Sequence, residues 1–180
     1  KNILPIAGMP MIAHSIEIAH KLRGVDHIYV STDCDEIASI AESYGAEVIH
    51  RPVELASDTA SEWLAWQHAI NFVLKSGRPF ERFLSLPATA PMRNTEDVQR
   101  CLNALQDGID MVITMTPAHR SPWFNMVTAD HNSKVKLVVG NGDVKRRQDS
   151  QQCFDMATVA YVSRPEFILS SSSIWDGNVV

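Results

Sequence analysis

The sequence predicts an α/β fold in which helices pack on a layered sheet. Short β-rich segments alternate with amphipathic helical segments from residue 10 to residue 115, and the links between them are short. Such alternation is typical of sheets built with right-handed crossovers. The chain has 180 residues, of which 45% are hydrophobic, so it is long enough to bury a core of its own. We therefore predict one α/β domain.

The helices of this domain follow from apolar residues at helical spacing. Pro10 suits a first helical position, because its missing N–H is not needed there. Thr59 and Glu62 lie three residues apart before an apolar run, which predicts a capping box at the start of a long helix. The predicted helices cover about 10–22, 35–44, 59–76 and 95–106.

The strands are apolar and rich in β-branched residues, as buried parallel strands are. They are predicted at 27–31, 48–49, 82–86, 110–115 and 158–162. Ligands of such sheets bind outside the carboxyl ends of the strands. Polar loops follow these ends at 31–33, 50–51, 87–93 and 116–117. We therefore expect these loops to form a binding edge.

The alternation of strands and helices ends after residue 116. A hairpin turn is predicted at 129–132, and residues 141–152 are polar and rich in Lys, Arg and Gln. Long excursions of this kind usually serve function or partner binding. The predicted organisation is a nucleotide-binding core at 1–116, an excursion at 117–153 and a return to the core sheet at 154–180. Because the excursion has few apolar residues, we predict that it is a homodimer arm that also covers the active site.

Composition excludes several classes of function. The formal net charge is −5, which gives no support to a nucleic-acid or membrane-surface role. No stretch approaches the about 20 apolar residues of a membrane span. Cys34, Cys101 and Cys153 lie far apart, with neither zinc spacing nor a disulfide framework, so a cytoplasmic location is predicted.

The segment from Arg51 to Ser61 carries the densest polar chemistry of the chain. It places an arginine, several hydroxyls and two carboxylates between a strand and a helix. A helix N-terminus beside an arginine suits phosphate or another anion. The alternative is a capped helix that follows a proline turn.

Seven motifs in the same order resemble the acylneuraminate cytidylyltransferase family, which contains CMP-sialic acid synthetases and their nonulosonate relatives. The motifs are Lys1-Asn2-Ile3, Gly8-Met9-Pro10-Met11-Ile12, Val30-Ser31-Thr32-Asp33, Tyr44-Gly45-Ala46-Glu47-Val48, the 51–61 segment, Thr89-Ala90-Pro91-Met92-Arg93 and Arg146-Arg147-Gln148-Asp149. The resemblance implies a three-layer α/β/α fold like that of nucleotide-diphospho-sugar transferases, a Rossmann-like sheet.

The implied reaction joins CTP to an acidic keto-sugar of nine carbons, gives the CMP-sugar and pyrophosphate, and uses Mg²⁺. Such sugars serve lipopolysaccharide or capsule biosynthesis. Two alternatives stay open. One is a nucleotidyltransferase of the same fold for another sugar, such as 3-deoxy-octulosonate, and the other is a nucleotide-binding or sugar-binding module without catalysis.

The resemblance implies three catalytic cations. Lys1, together with Asn2, matches the pair that ends the family's nucleotide loop, and Arg51 matches an arginine beside the nucleotide. Arg147 and Gln148 match a pair that we assign to the sugar or the phosphates. The alternatives are a surface lysine for Lys1, an ion pair with Glu54 for Arg51, and a solvated basic run for the pair on the excursion.

The remaining predicted site residues are substrate contacts. Ser57, Thr59 and Ser61 are predicted to donate hydrogen bonds to ribose or base, although capping explains Thr59 equally well. Asp58 is expected to orient Arg51 or loop backbone rather than to bind metal. For Arg93, phosphate binding and capping of its own loop are equally open.

The chain departs from the family in two places that face the sugar. Pro87 stands where the family has a glutamine, and residues 157–159 are Ala-Thr-Val where the family has Asn-Gly-Ala. We therefore expect a substrate other than N-acetylneuraminate. The family's Gly-rich nucleotide loop and metal-binding Asp-x-Asp are expected before residue 1 and after residue 180. The Mg²⁺ ligands are thus predicted outside these residues, and residues 1–180 alone are expected to be inactive.

Overall fold

A computed structural model describes residues 1–57 and 59–180. It divides into two compact units, which are described separately here. The first unit joins Lys1–Thr114 to Thr158–Val180, and the second unit is Met115–Ala157. The predicted excursion at 117–153 falls within the second unit, and its role as an arm and cover stays a prediction.

The elements alternate as the sequence predicts. The helices of the described chain are α1 (Met11–Lys21), α2 (Asp35–Ser43), α3 (Glu62–Lys75), α4 (Thr95–Ala104) and α5 (Pro165–Ser170). Its strands are β1 (Pro5–Ile6), β2 (Met9–Pro10), β3 (Tyr29–Thr32), β4 (Glu47–His50), β5 (Phe83–Ser85), β6 (Met111–Pro117), β7 (Val127–Ala129), β8 (Val135–Leu137) and β9 (Phe154–Ser163). Short 3₁₀ turns lie at Val53–Leu55, Arg147–Asp149 and Ile174–Asp176. Among these described helices, none has the length and apolar character that a bilayer crossing requires.

Helices cover both faces of the sheet that contains β9. The strand order is β5-β9-β6, and β5 runs antiparallel to β9. Successive side chains of a strand point to opposite faces. Accordingly, Ala160 and Val162 pack in one cluster with Val98 of α4, whereas the ring of Tyr161 lies 5.3 Å from that of Trp66 on α3. This arrangement confirms the α/β prediction and its three layers.

β3 and β4 form a parallel pair in which Thr32 lies opposite His50. Helices α1 and α2 pack together with this pair in a cluster around Ile16 and Ala41. Because the strands are parallel, their carboxyl ends lie side by side. The residue after β4 therefore lies next to the end of β3.

The prediction that Pro10 is the first helical residue is wrong. Pro10 belongs to β2, where it pairs with Pro5, and α1 begins at Met11. The connecting turn places Ala7 at φ 49° and Gly8 at φ 84°. These left-handed angles suit a tight hairpin, which helical periodicity alone did not indicate.

The predicted capping box of Thr59 and Glu62 is also wrong. Helix α3 begins at Glu62, its N-cap residue is Ser61, and the Ser61 side chain makes no capping hydrogen bond. The chain first makes a turn in which the N–H of Ala60 donates to the carbonyl of Ser57 at 3.0 Å. Helical winding therefore starts too late for Thr59 to cap it.

In the second unit, β7 and β8 form an antiparallel hairpin, with Thr128 opposite Lys136. The predicted hairpin is therefore confirmed, with Ala129 still in β7 and the connecting loop at 130–134. The carboxylate of Asp130 accepts hydrogen bonds from the N–H groups of Asn132 and Lys134, at 2.8 and 3.0 Å. This Asx-type arrangement stabilises the connecting loop.

Candidate functional site

The guanidinium of Arg51 is fixed at the carboxyl end of the parallel strand pair. Its Nε donates to the Ser31 hydroxyl at 3.1 Å, and its Nη2 donates to the Ser31 carbonyl at 2.7 Å. The backbone N–H of Arg51 donates to the carbonyl of Thr32 at 2.9 Å. Of the described carboxylates, none lies within ion-pair distance of Arg51, so the alternative pairing with Glu54 is not found. Neutral partners thus orient this cation without cancelling its charge.

Arg51 lines a cavity of about 1290 Å³ within the first unit. Among the polar residues of its lining, we call Asn2, Ser31, Arg51, Ser57, Ser61 and Glu62 the rim. Four of these residues were predicted from the sequence as nucleotide contacts. The structure therefore brings Asn2, Arg51, Ser57 and Ser61 to one cavity.

Glu62 adds a carboxyl group to this rim. Although the residue is exposed as a whole, partial desolvation raises the pKa of its carboxyl group, and the positive charge of Arg51 opposes that rise. The same carboxylate contributes to the raised pKa of Tyr161, whose main cause is burial. The ionisation of the Glu62 carboxyl group therefore depends on the positive charge of Arg51.

Arg93 lies in a different environment from Arg51. It is 9% exposed, and its Nη1 donates to the Ser15 hydroxyl at 2.6 Å, while its Nη2 donates to the carbonyl of Pro87. Its Nε is buried and has no partner among the described residues. Burial lowers the pKa of Arg93 to about 10. Because the guanidinium binds the carbonyl of its own loop, this geometry favours the loop-capping alternative.

The second unit contains a cavity of its own, of about 440 Å³. The described residues that line it include no acidic side chain. Its charged and amide-bearing residues are Arg120, Arg147, Gln148, Gln151 and Gln152. This composition suits an anion that also carries hydroxyl or amide groups.

Local contacts leave the charge of Arg147 available to that cavity. Its Nη2 donates to the carbonyl of Ala118 at 3.3 Å, which orients the guanidinium but does not neutralise it. The neighbouring Asp149 instead binds Arg146, whose Nε donates to the carboxylate at 2.7 Å. Of these two neighbouring arginines, Arg146 has a carboxylate partner, whereas no described carboxylate pairs with Arg147.

Among the described residues, the predicted site residues Lys1, Thr59 and Arg93 are not part of the lining of either cavity. Lys1 is exposed and is not part of the first cavity's lining. Thr59 is exposed, and its hydroxyl lies 3.4 Å from that of Ser57. Asp58 lies outside the described residues. The prediction that Lys1, Arg51 and Arg147 are three catalytic cations of one site remains a prediction, because Arg147 belongs to the other unit.

Two residues of these cavities were missed as functional candidates. Arg120 lies in an irregular loop and shows no periodic pattern, so only its basic charge within the excursion could have singled it out. Glu62 was interpreted as a capping partner. A functional role for Glu62 is indicated only by the structure, which places it on the rim with Arg51.

The predicted Mg²⁺ can be compared with the metal-ligating side chains of the described residues. Across residues 1–57 and 59–180, no three carboxylate, imidazole or thiol groups are placed to share one metal ion. Mg²⁺ requires oxygen ligands in octahedral geometry. Because Mg²⁺ is usually held by one or two carboxylates together with substrate phosphates and water, its use, with ligands outside these residues, stays a prediction.

Comparison with known proteins gives one consistent result. A family model described as "Cytidylyltransferase" matches residues 1–162. Post-translational flagellin modification protein B of Campylobacter coli is 35% identical over 184 residues, which cover 99% of this chain and 76% of that protein. CMP-N,N'-diacetyllegionaminic acid synthase of Campylobacter jejuni shows the same identity and the same coverage.

A solved structure agrees on the fold. The synthetase of CMP-2-keto-3-deoxy-manno-octonic acid, in complex with CTP, matches with a TM-score of 0.67 over 97% of this chain and 73% of that protein. Its sequence identity is 18%, so this likeness concerns the fold alone. The 3-deoxy-octulosonate alternative is therefore matched only as a related fold.

Proposed function

The chain belongs to the cytidylyltransferase family, and we propose that it transfers a cytidylyl group from CTP to a nonulosonic acid. The products are the CMP-sugar and pyrophosphate. The anomeric hydroxyl oxygen forms a bond to the α-phosphorus, and the bond from that phosphorus to the pyrophosphate oxygen breaks. The hydroxyl proton passes to solvent water, and pyrophosphate leaves with the electron pair of the broken P–O bond.

The proposal rests on the position and the unpaired charge of the Arg51 guanidinium among the described residues. Phosphoryl-type transfer depends mainly on positioning and on stabilising the charge that develops at the phosphates. A guanidinium presents a planar fork that suits phosphate oxygens. Ser31 fixes that fork at a cavity, and no described carboxylate pairs with it. We therefore assign Arg51 to the triphosphate.

The hydroxyl and amide groups of the rim fit the remainder of the nucleotide. Ser57 and Ser61 offer donors and acceptors for ribose or base, and Asn2 offers both on one side chain. Lys1 precedes Asn2 and is assigned to the outer phosphates as a flexible point charge. These roles extend the prediction made from the family motifs.

The cavity of the second unit is proposed to hold the sugar acid. A sugar carboxylate accepts two parallel hydrogen bonds from an arginine, which fixes its orientation as well as its charge. Arg147 and Arg120 supply such groups, and Gln148 supplies an amide for the sugar's hydroxyl or acetamido groups. The absence of acidic groups among the described lining residues supports an anionic substrate.

The choice of sugar rests on the resemblance, which implies that two departures of this chain face the sugar; in the structure Pro87 and Thr158 line the first cavity. Pro87 has no side-chain donor, and residues 157–159 replace an Asn-Gly-Ala motif. A relative with 35% identity is named as a synthase for the CMP derivative of N,N'-diacetyllegionaminic acid. We propose that the substrate is a nonulosonic acid of this di-acetamido class rather than N-acetylneuraminate.

Pyrophosphate release by the full-length protein tests the proposal. CTP and Mg²⁺ are combined with legionaminic, pseudaminic and N-acetylneuraminic acids and with 3-deoxy-octulosonate. We expect turnover with CTP and highest kcat/KM for a di-acetamido acid. Arg147→Ala should raise the KM for the acid about tenfold or more while leaving the KM for CTP within about twofold. Failure of all the acids, or a preference for 3-deoxy-octulosonate, would overturn it.

A homodimer in the cytoplasm remains part of the proposal. Large apolar side chains are exposed in the second unit, among them Val127, Val135, Phe154 and Met156. Exposed apolar groups of this kind are typical of association surfaces. Light scattering of the full-length protein at micromolar concentration measures its molar mass. We expect the mass of a dimer, and the mass of a monomer would contradict the proposal.

A further inference from the structure

The 3₁₀ turn at Arg147–Asp149 has two sides with different surroundings. The cavity of the second unit is lined by Arg147, Gln148 and Ser150 from this turn and its end. Arg146 and Asp149 do not belong to that lining. Side chains three residues apart in a 3₁₀ turn lie above one another. Arg146 and Asp149 therefore share one side of the turn, and the residues next to them line the cavity.

Arg146 and Asp149 form a bidentate ion pair on their side of the turn. The Nε of Arg146 donates to Oδ2 of Asp149 at 2.7 Å, and its Nη2 donates to Oδ1 at 3.0 Å. The backbone N–H of Asp149 also donates to the carbonyl of Arg146 at 3.0 Å. We call this ion pair the clamp. Each carboxylate oxygen of Asp149 thus has the guanidinium of Arg146 as a partner.

The clamp is too exposed to be important for stability. The side chains of Arg146 and Asp149 are 67% and 43% exposed. Exposed ion pairs contribute little to the free energy of unfolding, because water and salt screen the two charges. The effect of the clamp on the neighbouring cavity is therefore expected to exceed its effect on stability.

Without a partner, the carboxylate of Asp149 would disfavour an anion in this cavity. Its neighbours in the chain, Gln148 and Ser150, line the cavity, whose described lining contains arginines but no acidic side chain. Charges closer than a Debye length of about 8 Å still interact appreciably. A free carboxylate at this turn would repel an anionic ligand and attract the guanidinium of Arg147, which is bound only to the neutral carbonyl of Ala118 among the described groups.

We propose that Arg146 is a positioning residue that keeps Asp149 from pairing with Arg147 and thereby keeps the cavity receptive to the sugar acid. This inference rests on the proposed function, which places the carboxylate of the acid at Arg147. In this role Arg146 contacts neither the acid nor the nucleotide. It acts by offsetting the charge of Asp149 and by holding the turn that presents Arg147 and Gln148.

Arg146→Gln in the full-length protein tests the proposal, because it removes the cation and leaves Asp149 without its partner. The KM for the acid should rise about threefold to fivefold, which is the range expected when an exposed ion pair competes with the ligand. The KM for CTP should stay within about twofold, and Tm within about 2 °C. An unchanged KM for the acid would overturn the proposal.

A second change separates positioning from direct contact. Asp149→Asn removes the carboxylate and by itself should leave the KM for the acid within about twofold. Combined with Arg146→Gln, it should return the KM to within about twofold of the unmodified protein, because no carboxylate is left to compete. If Arg146 itself bound the acid, the double variant would be as impaired as Arg146→Gln alone, and that result would overturn the proposal.

Lys145 offers a matched control for net charge. Its Nζ donates to the carbonyl of Gly142 at 3.1 Å, and of the described carboxylates none lies within ion-pair distance of it. Lys145→Gln therefore removes the same charge one residue away without releasing a carboxylate. The KM for the acid should stay within about 1.5-fold. A rise equal to that of Arg146→Gln would show a general charge effect and would contradict the proposal.

Failure of the proposed function would give a different pattern of results. No turnover with any acid, or an unchanged KM for the acid in Arg147→Ala, would reject that function. The effect of the clamp on Arg147 is then measured without turnover, by heteronuclear NMR of its Nε–Hε group. This signal should shift in Arg146→Gln and return in the double variant. The same signal in all three proteins would overturn the role proposed for Arg146.

Discussion

Arg51 and Arg93 are both arginines of proline-containing loops that follow strands, yet the structure holds them in opposite ways. Arg51 lies on the rim of a cavity and is oriented by Ser31. Arg93 is buried, and its guanidinium binds Ser15 and the carbonyl of Pro87. A cation that is oriented but open to a cavity can bind a ligand, whereas a cation enclosed by its own loop stabilises that loop. The contrast shows that a motif arginine has to be assigned from its surroundings.

The largest expected effect belongs to Arg51. Arg51→Ala should lower kcat/KM with CTP by about 10²–10³-fold, because a preorganised charge at the phosphates is lost. Its Tm should change by no more than about 2 °C, since no described ion pair is broken. Steady-state kinetics and thermal unfolding measure the two effects. Arg100→Ala, which removes an exposed ion pair with Asp97, is the control and should keep full activity.

Arg93 should show the reverse pattern. Arg93→Ala should lower the free energy of unfolding by about 2–4 kcal/mol, because it leaves a cavity and removes the donor to the buried Ser15 hydroxyl and the half-buried Pro87 carbonyl. Arg93→Met keeps most of the volume and should cost less, since it also removes a buried charge. Urea unfolding gives both values. Loss of activity in folded Arg93→Ala without loss of stability would show that Arg93 binds substrate, and the contrast with Arg51 would fail.

The smallest effect is expected at Glu62, the acidic neighbour of Arg51. Its raised pKa means that the folded protein disfavours the charged carboxylate. Its contribution to stability is therefore present at pH values below the ordinary pKa of 4.5 and is lost as the pH rises through the folded value. Glu62→Gln should stabilise the protein at pH 7 by less than about 1 kcal/mol and have no such benefit at pH 4. A stabilisation that is equal at both pH values would contradict the charge-based explanation.

The sequence was informative where the determinants are local or periodic. Helices α1, α2 and α4 follow from apolar spacing, since an amphipathic face has to be buried whatever it packs against. The caps were less predictable. The Thr59 hydroxyl lies beside Ser57, and the chain turns again before α3 begins, which no spacing rule reveals.

Contacts between residues far apart in the sequence limited how much of the fold and of the site could be predicted. The antiparallel pairing of Leu84 with Val162 joins strands separated by α4 and the whole second unit, so the local pattern could not specify it. For the same reason Glu62 and Arg120 were not recognised as cavity residues. Arg51 was found because its motif combines a strand end with a helix start, and the contact with Ser31 needed the strand register.

That register has an evolutionary consequence. Arg51 reaches Ser31 only because Thr32 lies opposite His50, and a shift of one residue between β3 and β4 would send every side chain of the shifted strand to the other face. Insertions and deletions are therefore expected to accumulate in the loops that we propose contact the sugar, where a new loop length would alter only the preference for one sugar over another. Within the two strands the same event would displace the cation that we propose binds the nucleotide, so the spacing between Ser31 and Arg51 is expected to vary less than the length of those loops.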